Sequence, residues 1–468
     1  VPNGAVRFRP EIEPLVRLLE DSPRERLLEE VARKIRSGVS YQEVLAALLL
    51  AGIRNVQPRP HVGYKFHAVL VVNSAHLASL ASPDSQRWLP IFWALDHFKS
   101  AQAQDEREGN WTMAAVDESK VPARNARSIF VTAMNTWDEP AADAAVAALA
   151  RNSSSAELFD LFCGFAPRDF RSIGHKIIFL ANSWRTLNCV GWQHAEPVLR
   201  SLAYALLNHH GEPNPSTSDL PADRPGRENR DRYRAIRADW LEGTVDTAAT
   251  SELVATLRDA SDADACDVAV EMINRGVSPK SIWDAAFAGA AELLVRQPGI
   301  VSLHAVTTTN AAHYCFRHCR EDEIRRWLML QNLAFLPLFR AEMAARGTVG
   351  LQQLDKIEPL PSTNVGPQAV EEILADVSRD RSAAARKTLA YLKSGGDPQA
   401  LIDAARLLVF FKGDDSHDYK FSSAAMEDYY HAGPDWRDRF LAASMFRLHG
   451  SFDRENPLVA RTRAALGA

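Results

Sequence analysis

Residues 13–38 read EPLVRLLEDSPRERLLEEVARKIRSG. Apolar side chains recur there at three- and four-residue spacing, which gathers them on one side of a 3.6-residue helix, and Gly38 is a stop signal. The same spacing continues outward at 41–52 (YQEVLAALLLAG), 279–299 (PKSIWDAAFAGAAELLVRQPG) and 322–347 (DEIRRWLMLQNLAFLPLFRAEMAARG). At 195–211 the run AEPVLRSLAYALLNHHG has Pro197 in its first turn and Gly211 as its end, the usual asymmetry of a helix. Long alternating runs with hairpin turns are missing. The chain is predicted to be all-α.

A length of 468 residues is too great for one ordinary core. Two stretches lack helical periodicity: 211–232, rich in Pro, Ser, Asp and Arg, and 347–368. The first predicts an exposed linker and divides the chain into an N-terminal helical half, 1–232, and a C-terminal half, 233–468. A net charge of −5 lacks the basic footprint of a nucleic-acid binder. No apolar run approaches the ~20 residues that cross a bilayer. A soluble protein is expected, cytoplasmic or exported; Val1 in first place leaves room for a removed leader. Five scattered cysteines do not suggest a disulfide framework.

Residues 67–76 read HAVLVVNSAH and residues 304–313 read HAVTTTNAAH, identical at six of ten positions and 237 residues apart. A second pair, His175 in GHKIIFLANS and His417 in SHDYKFSSAA, lies 242 residues apart. Landmarks repeated at similar offsets predict an internal duplication, with two helical halves facing each other. Within each decapeptide the histidines are nine residues apart, half a turn round a continuous helix. His67 and His304, flanked by apolar residues, are the inward candidates; His76 and His313 point elsewhere.

A lone histidine on an apolar helix is more often a satisfied core residue than a ligand. Four at repeated positions suggest more. Imidazoles suit Fe, Zn, Cu and Ni, and helical folds build metal sites from inward side chains. His67, His175, His304 and His417 would then form a four-imidazole site at the interface of the halves. Lys420, three residues after His417, shares its face. A surface lysine paired with Asp418 or Glu427 is the commoner fate. Beside a cation in an apolar site, though, its amine would be neutral and could take up CO2 as an anionic carbamate. HYCFRHC (His313, Cys315, His318, Cys319) lacks a second ligand pair at zinc-finger spacing. Phosphate-loop and nucleophile-elbow motifs are missing.

The ordered landmarks FHAVLVVNSAH, GHKIIFLANSWRTL with GWQHAEPVLRSLAYAL, LHAVTTTNAAH and HDYKF resemble those of the questin oxidase-like proteins. These are non-haem-iron oxygenases that open anthraquinone rings, with bacterial relatives. The likeness spans roughly residues 60–450. It implies a helical fold and one Fe(II) held by His67, His175, His304, His417 and carboxylated Lys420. His61, His76, His194 and Lys412 are nearby substitutes. One octahedral position would stay open for O2 as co-substrate. Trp184, Trp192 and Tyr419 would line a pocket for an aromatic phenolic or quinone-type substrate, cleaved at a C–C bond in a Baeyer–Villiger-like reaction. Zinc or another divalent ion is the alternative metal. A metal-dependent hydrolase, with Asp418 or Glu427 as base, and a non-enzymatic helical scaffold are the alternative functions. The oligomeric state is left open.

Overall fold

The computed structural model describes residues 4–59, 61–207 and 211–467. Val1, and residues 208–210 in the run expected to end at Gly211, lie outside them. Among the described residues the chain is all-α, with 22 α-helices, no strands and two isolated bridges, Ala5–Ala114 and Thr244–Val277. No helix is long and apolar enough to cross a membrane. The first predicted run, 13–38, is two helices, Glu13–Asp21 and Arg24–Arg36, parted at Pro23. The run from 195 ends its helix at Leu206.

The chain divides into two compact units: residues 1–166, 178–218 and 457–468 make one, and residues 167–177 and 219–456 the other. This differs from a simple cut at 232. The break after 218 falls earlier, and 167–177 belongs with the later residues. The segment is held there by Gln331, which donates to the Pro167 carbonyl at 2.6 Å, and by the Arg171–Asp223 pair at 2.5 Å. The expected linker is also corrected, because Arg224–Arg232 is a helix. Its buried residues are Pro225, Gly226 and Asn229, small or polar, so no apolar stripe announced it. Gly226 lies so close to the Arg168 backbone that a Cβ would stand 2.0 Å from that carbonyl. Residues 347–368 hold only a short 3-10 turn, Leu354–Lys356, before the helix that starts at Gly366.

In the first unit the helix His67–Leu80 is buried along almost its whole length and packs against Tyr41–Asn55 and Leu89–Glu108. Gly52 permits the first of these contacts, since a Cβ there would meet Val69 Cγ2 at 2.7 Å. Arg54, fully buried, pairs with Glu13 at 2.8 Å and Glu20 at 2.7 Å and so ties down the N-terminal helix. The last helix, Leu458–Leu466, returns to pack on Arg24–Arg36, with Arg461 on Glu29 at 2.9 Å.

In the second unit the central element is Ile300–His318. It packs against Pro279–Arg296, Asp322–Arg346 and Ser416–His431. Fourteen of its residues are buried, and six of them are polar: Ser302, His304, Thr307, Thr308, Thr309 and His313. Burial of polar groups in the middle of a core is costly unless they are hydrogen-bonded.

Candidate metal centre

Among the described residues, His67, His175, His304 and His417 form an all-histidine group that could hold a metal ion. Three of them, His175, His304 and His417, belong to the second unit, and their ligand atoms lie within 4.8 Å of one another. His304 sits in the second turn of its helix, while His175 opens the helix His175–Val190 and His417 is the second residue of Ser416–His431. Two of the three are therefore delivered by helix starts, where the preceding turn can aim the side chain.

That preceding turn is strained at His175. Ser172, Ile173 and Gly174 have φ of 55°, 45° and 82°. A β-branched residue in the left-handed region is a genuine outlier, and such strain persists only where the surroundings hold it. Here they do. Gly174 is pressed against Thr308, so closely that a Cβ would stand 2.1 Å from Thr308 Oγ1. Lys176 is locked to Asp169 at 2.7 Å, both fully buried.

The ring nitrogens follow one rule. His175 Nδ1 donates to the Ser172 carbonyl at 2.5 Å, and His304 Nδ1 to the Ile300 carbonyl at 2.5 Å. His417 Nδ1 donates to Asp415 Oδ1 at 2.6 Å. Carbonyl and carboxylate oxygens only accept, so each Nδ1 carries the proton and each neutral ring keeps its lone pair on Nε2. This is the outer hydrogen bond that metal-ligating histidines make. His175 Nε2 and His304 Nε2 then face each other at 3.0 Å. A hydrogen bond across that gap would need an extra proton. Burial holds His304 well below the ordinary imidazole value, and His175, Lys420 and His417 add to the effect. Burial also lowers His417, against the opposing pull of Asp415. Two nitrogens each about 2.1 Å from one ion and at about a right angle lie about 3.0 Å apart. The donor set fits a divalent cation.

Lys420 lies on the same helix as His417 and is 3% exposed. Its Nζ has no hydrogen-bond partner, and burial pushes the amine down to about 7. The commoner pairings are not made. Asp418 is taken by His449 at 3.1 Å and Arg447 at 3.5 Å, and Glu427 by Asn310 at 3.0 Å. Both carboxylates considered as hydrolytic bases are thus engaged elsewhere.

In the first unit, His67 is buried and its Nδ1 donates to the Tyr64 carbonyl at 2.7 Å, the arrangement already met at His175 and His304. The substitutes have other surroundings. His61 is exposed with its ring tilted against Tyr64, and His76 Nδ1 meets the Tyr41 hydroxyl at 2.8 Å. His194 is buried beneath the turn Trp192–His194, with its pKa lowered by that burial. Lys412 is half-buried at the end of Pro398–Lys412. His313 packs its ring against Trp283, Phe287 and His431, and burial pushes it down to about 2. Cys315 and Cys319 are buried free thiols and join no ligand group among the described residues. Of the aromatic residues, Trp184 packs with Phe159, Phe162 and Trp192 in the first unit, as ordinary core does. Tyr419 stacks on Phe410 in the second.

Glu427, Asp428 and His431 form another ligand-like group in the second unit. Donors already fill it. Asn310 donates to Glu427 and to Asp428 Oδ1 at 3.0 and 2.8 Å, His431 Nδ1 to Asp428 at 3.1 Å, and Arg317 to His431 Nε2 at 2.9 Å. No imidazole lone pair remains for a cation, so it is a hydrogen-bonded network. Asp415 and Gly174 were missed in the sequence. Asp415 carried a signal, an acidic cap just before the His417 helix in DDSHD; Gly174 is visible only once Thr308 is in place.

The chain matches no protein-family model, no curated protein and no solved structure.

Proposed function

We propose that the chain is a non-haem-iron oxygenase acting on an aromatic phenolic or quinone-type substrate, with Fe(II) held by His67, His175, His304, His417 and Lys420. The observation that carries it is the pair of neutral imidazoles, His175 and His304, whose lone pairs meet at 3.0 Å beside a third, His417, in a buried site. Their Nδ1 bonds fix the tautomer and aim of each ring before any ion arrives. His67 is the fourth imidazole in this proposal because it is buried and has the same Nδ1-to-carbonyl bond.

Lys420 supplies the missing negative charge. Its buried amine, without a hydrogen-bond partner, adds to CO2 through a new N–C bond and gives up one proton, leaving a carbamate with a charge of −1. An anionic oxygen offsets part of a +2 charge that four neutral rings would leave in place. Iron rather than zinc is proposed on the resemblance to the questin oxidase-like proteins, which also suggests O2 as co-substrate and C–C cleavage beside a carbonyl. When bound, Fe(II) would activate O2 toward an organic substrate, and the net electrons would come from the substrate that is oxidised. The chain's own contribution is to hold the rings, exclude water and present the substrate.

Elemental analysis of the purified protein tests the proposal. One iron per chain is expected, together with O2 consumption in the presence of a hydroxyanthraquinone. Stoichiometric zinc without O2 uptake would point to the hydrolase, and no stoichiometric metal to the scaffold.

A further inference from the structure

Thr308 lies four residues beyond His304 in one helix, so the two side chains share a face one turn apart. Thr308 is fully buried, and its hydroxyl makes no hydrogen bond. A buried helical threonine commonly donates to the carbonyl four residues back. Thr186, Thr250 and Thr388 do so in this chain, at 2.7, 3.2 and 2.8 Å. Thr308 forgoes that partner. The His304 carbonyl instead receives the Thr307 hydroxyl at 3.4 Å.

What stands beside Thr308 is Gly174. Only a residue without a Cβ fits there, because that atom would lie 2.1 Å from the hydroxyl oxygen and 2.8 Å from Cγ2. The hydroxyl is thereby bracketed between the backbone that leads into His175 and the face that carries His304. These are the two rings whose Nε2 atoms converge. A buried donor left unmade destabilises the fold, and native structures leave few. A ligand oxygen at the imidazole centre would supply the acceptor.

We propose that the Thr308 hydroxyl donates a hydrogen bond to a phenolic or carbonyl oxygen of the substrate and so orients its aromatic ring beside the histidines. Thr308 is then a positioning residue and not a metal ligand. The assignment rests on the metal centre proposed above, and it adds the substrate group that the site recognises.

Thr308→Val keeps the shape and removes the donor; Thr308→Ser keeps the donor. In metal-free protein, thermal unfolding of Thr308→Val should shift upward by about 1–3 °C, because a donor without an acceptor is gone. An unchanged or lower midpoint means the hydroxyl already serves the fold, which overturns the proposal. In Co(II)-loaded protein, catechol binding is followed by visible absorption. The dissociation constant should rise about fivefold to tenfold in Thr308→Val, stay near wild type in Thr308→Ser, and metal content should be equal in all three. Wild type that binds catechol no better than Thr308→Val, or not at all, overturns the proposal while leaving the metal centre standing. Wild type that takes up no Co(II) removes the metal centre itself.

Discussion

The helices His67–Leu80 and Ile300–His318 carry the two related decapeptides, and each is the buried centre of its own unit. Their polar ends behave alike. The leading histidine bonds through Nδ1 to a carbonyl three or four residues back. The asparagine six residues on reaches the helix of the second landmark histidine: Asn73 lies 3.4 Å from Asn182, and Asn310 donates to Glu427 and Asp428. The trailing histidine meets an aromatic of the preceding helix, Tyr41 for His76 and Trp283 for His313. The middles differ. Leu70, Val71 and Val72 are ordinary core, whereas Thr307, Thr308 and Thr309 bring three hydroxyls into an equally buried place. The central helix of the first unit carries packing at these positions and that of the second carries hydroxyls, and three of the four histidines converge in the second unit.

The comparison breaks most sharply at the histidines themselves. Replacing His175 or His304 by Ala should lower metal content more than tenfold with helical content retained, whereas His76→Ala and His313→Ala should keep the metal. Equal behaviour of the two groups, read by elemental analysis and circular dichroism, would mean that the leading and trailing histidines are not distinct in role. Next in size is Lys420. Lys420→Ala should abolish turnover, and Lys420→Glu should regain part of it by restoring an anionic oxygen; normal iron and turnover in the alanine variant would dismiss the carbamate.

The threonine difference is sharpened from the other side. Val71→Thr places a hydroxyl where the first unit has only packing, and should cost roughly 1–2 kcal/mol in urea unfolding. A neutral result would show that a hydroxyl is tolerated at either centre. The smallest effect concerns the asparagine partners. Burial raises Asp428 to about 6 from its ordinary 3.8, against opposing hydrogen bonds from His431 and Asn310. A carboxyl that holds its proton more tightly when folded adds stability that is complete below about pH 4 and is lost as pH rises through about 6. Asp428→Asn should therefore flatten the decline of stability between those values, by at most about 1.4 kcal/mol per pH unit. Asn182→Asp, which places a carboxyl beside Asn73, should introduce a slope of the same sign.

The helices were legible because most carry apolar stripes with ordinary stops; Arg224–Arg232 was not, because it buries Pro225, Gly226 and Asn229 through hydrogen bonds and close backbone contact. The division at 232 missed the detour of residues 167–177, which depends on partners such as Gln331 and Asp223 far along the chain. Convergence of His175, His304 and His417 was readable from the paired motifs taken with helical phase, which sets His304 on the opposite side of its helix from His313. Their tautomers were not readable, because the Ser172, Ile300 and Asp415 oxygens become acceptors only through turn and cap geometry. The strain at Ser172 and Ile173 has no sequence signature; both are ordinary residue types held at positive φ by what surrounds them.

Metal content per chain, measured by plasma mass spectrometry on protein purified with Fe(II) and bicarbonate, bears most directly on the central claim. Wild type should carry close to one iron, and His304→Ala less than a tenth of that. Wild type without stoichiometric metal, or His304→Ala with a full complement, would contradict it.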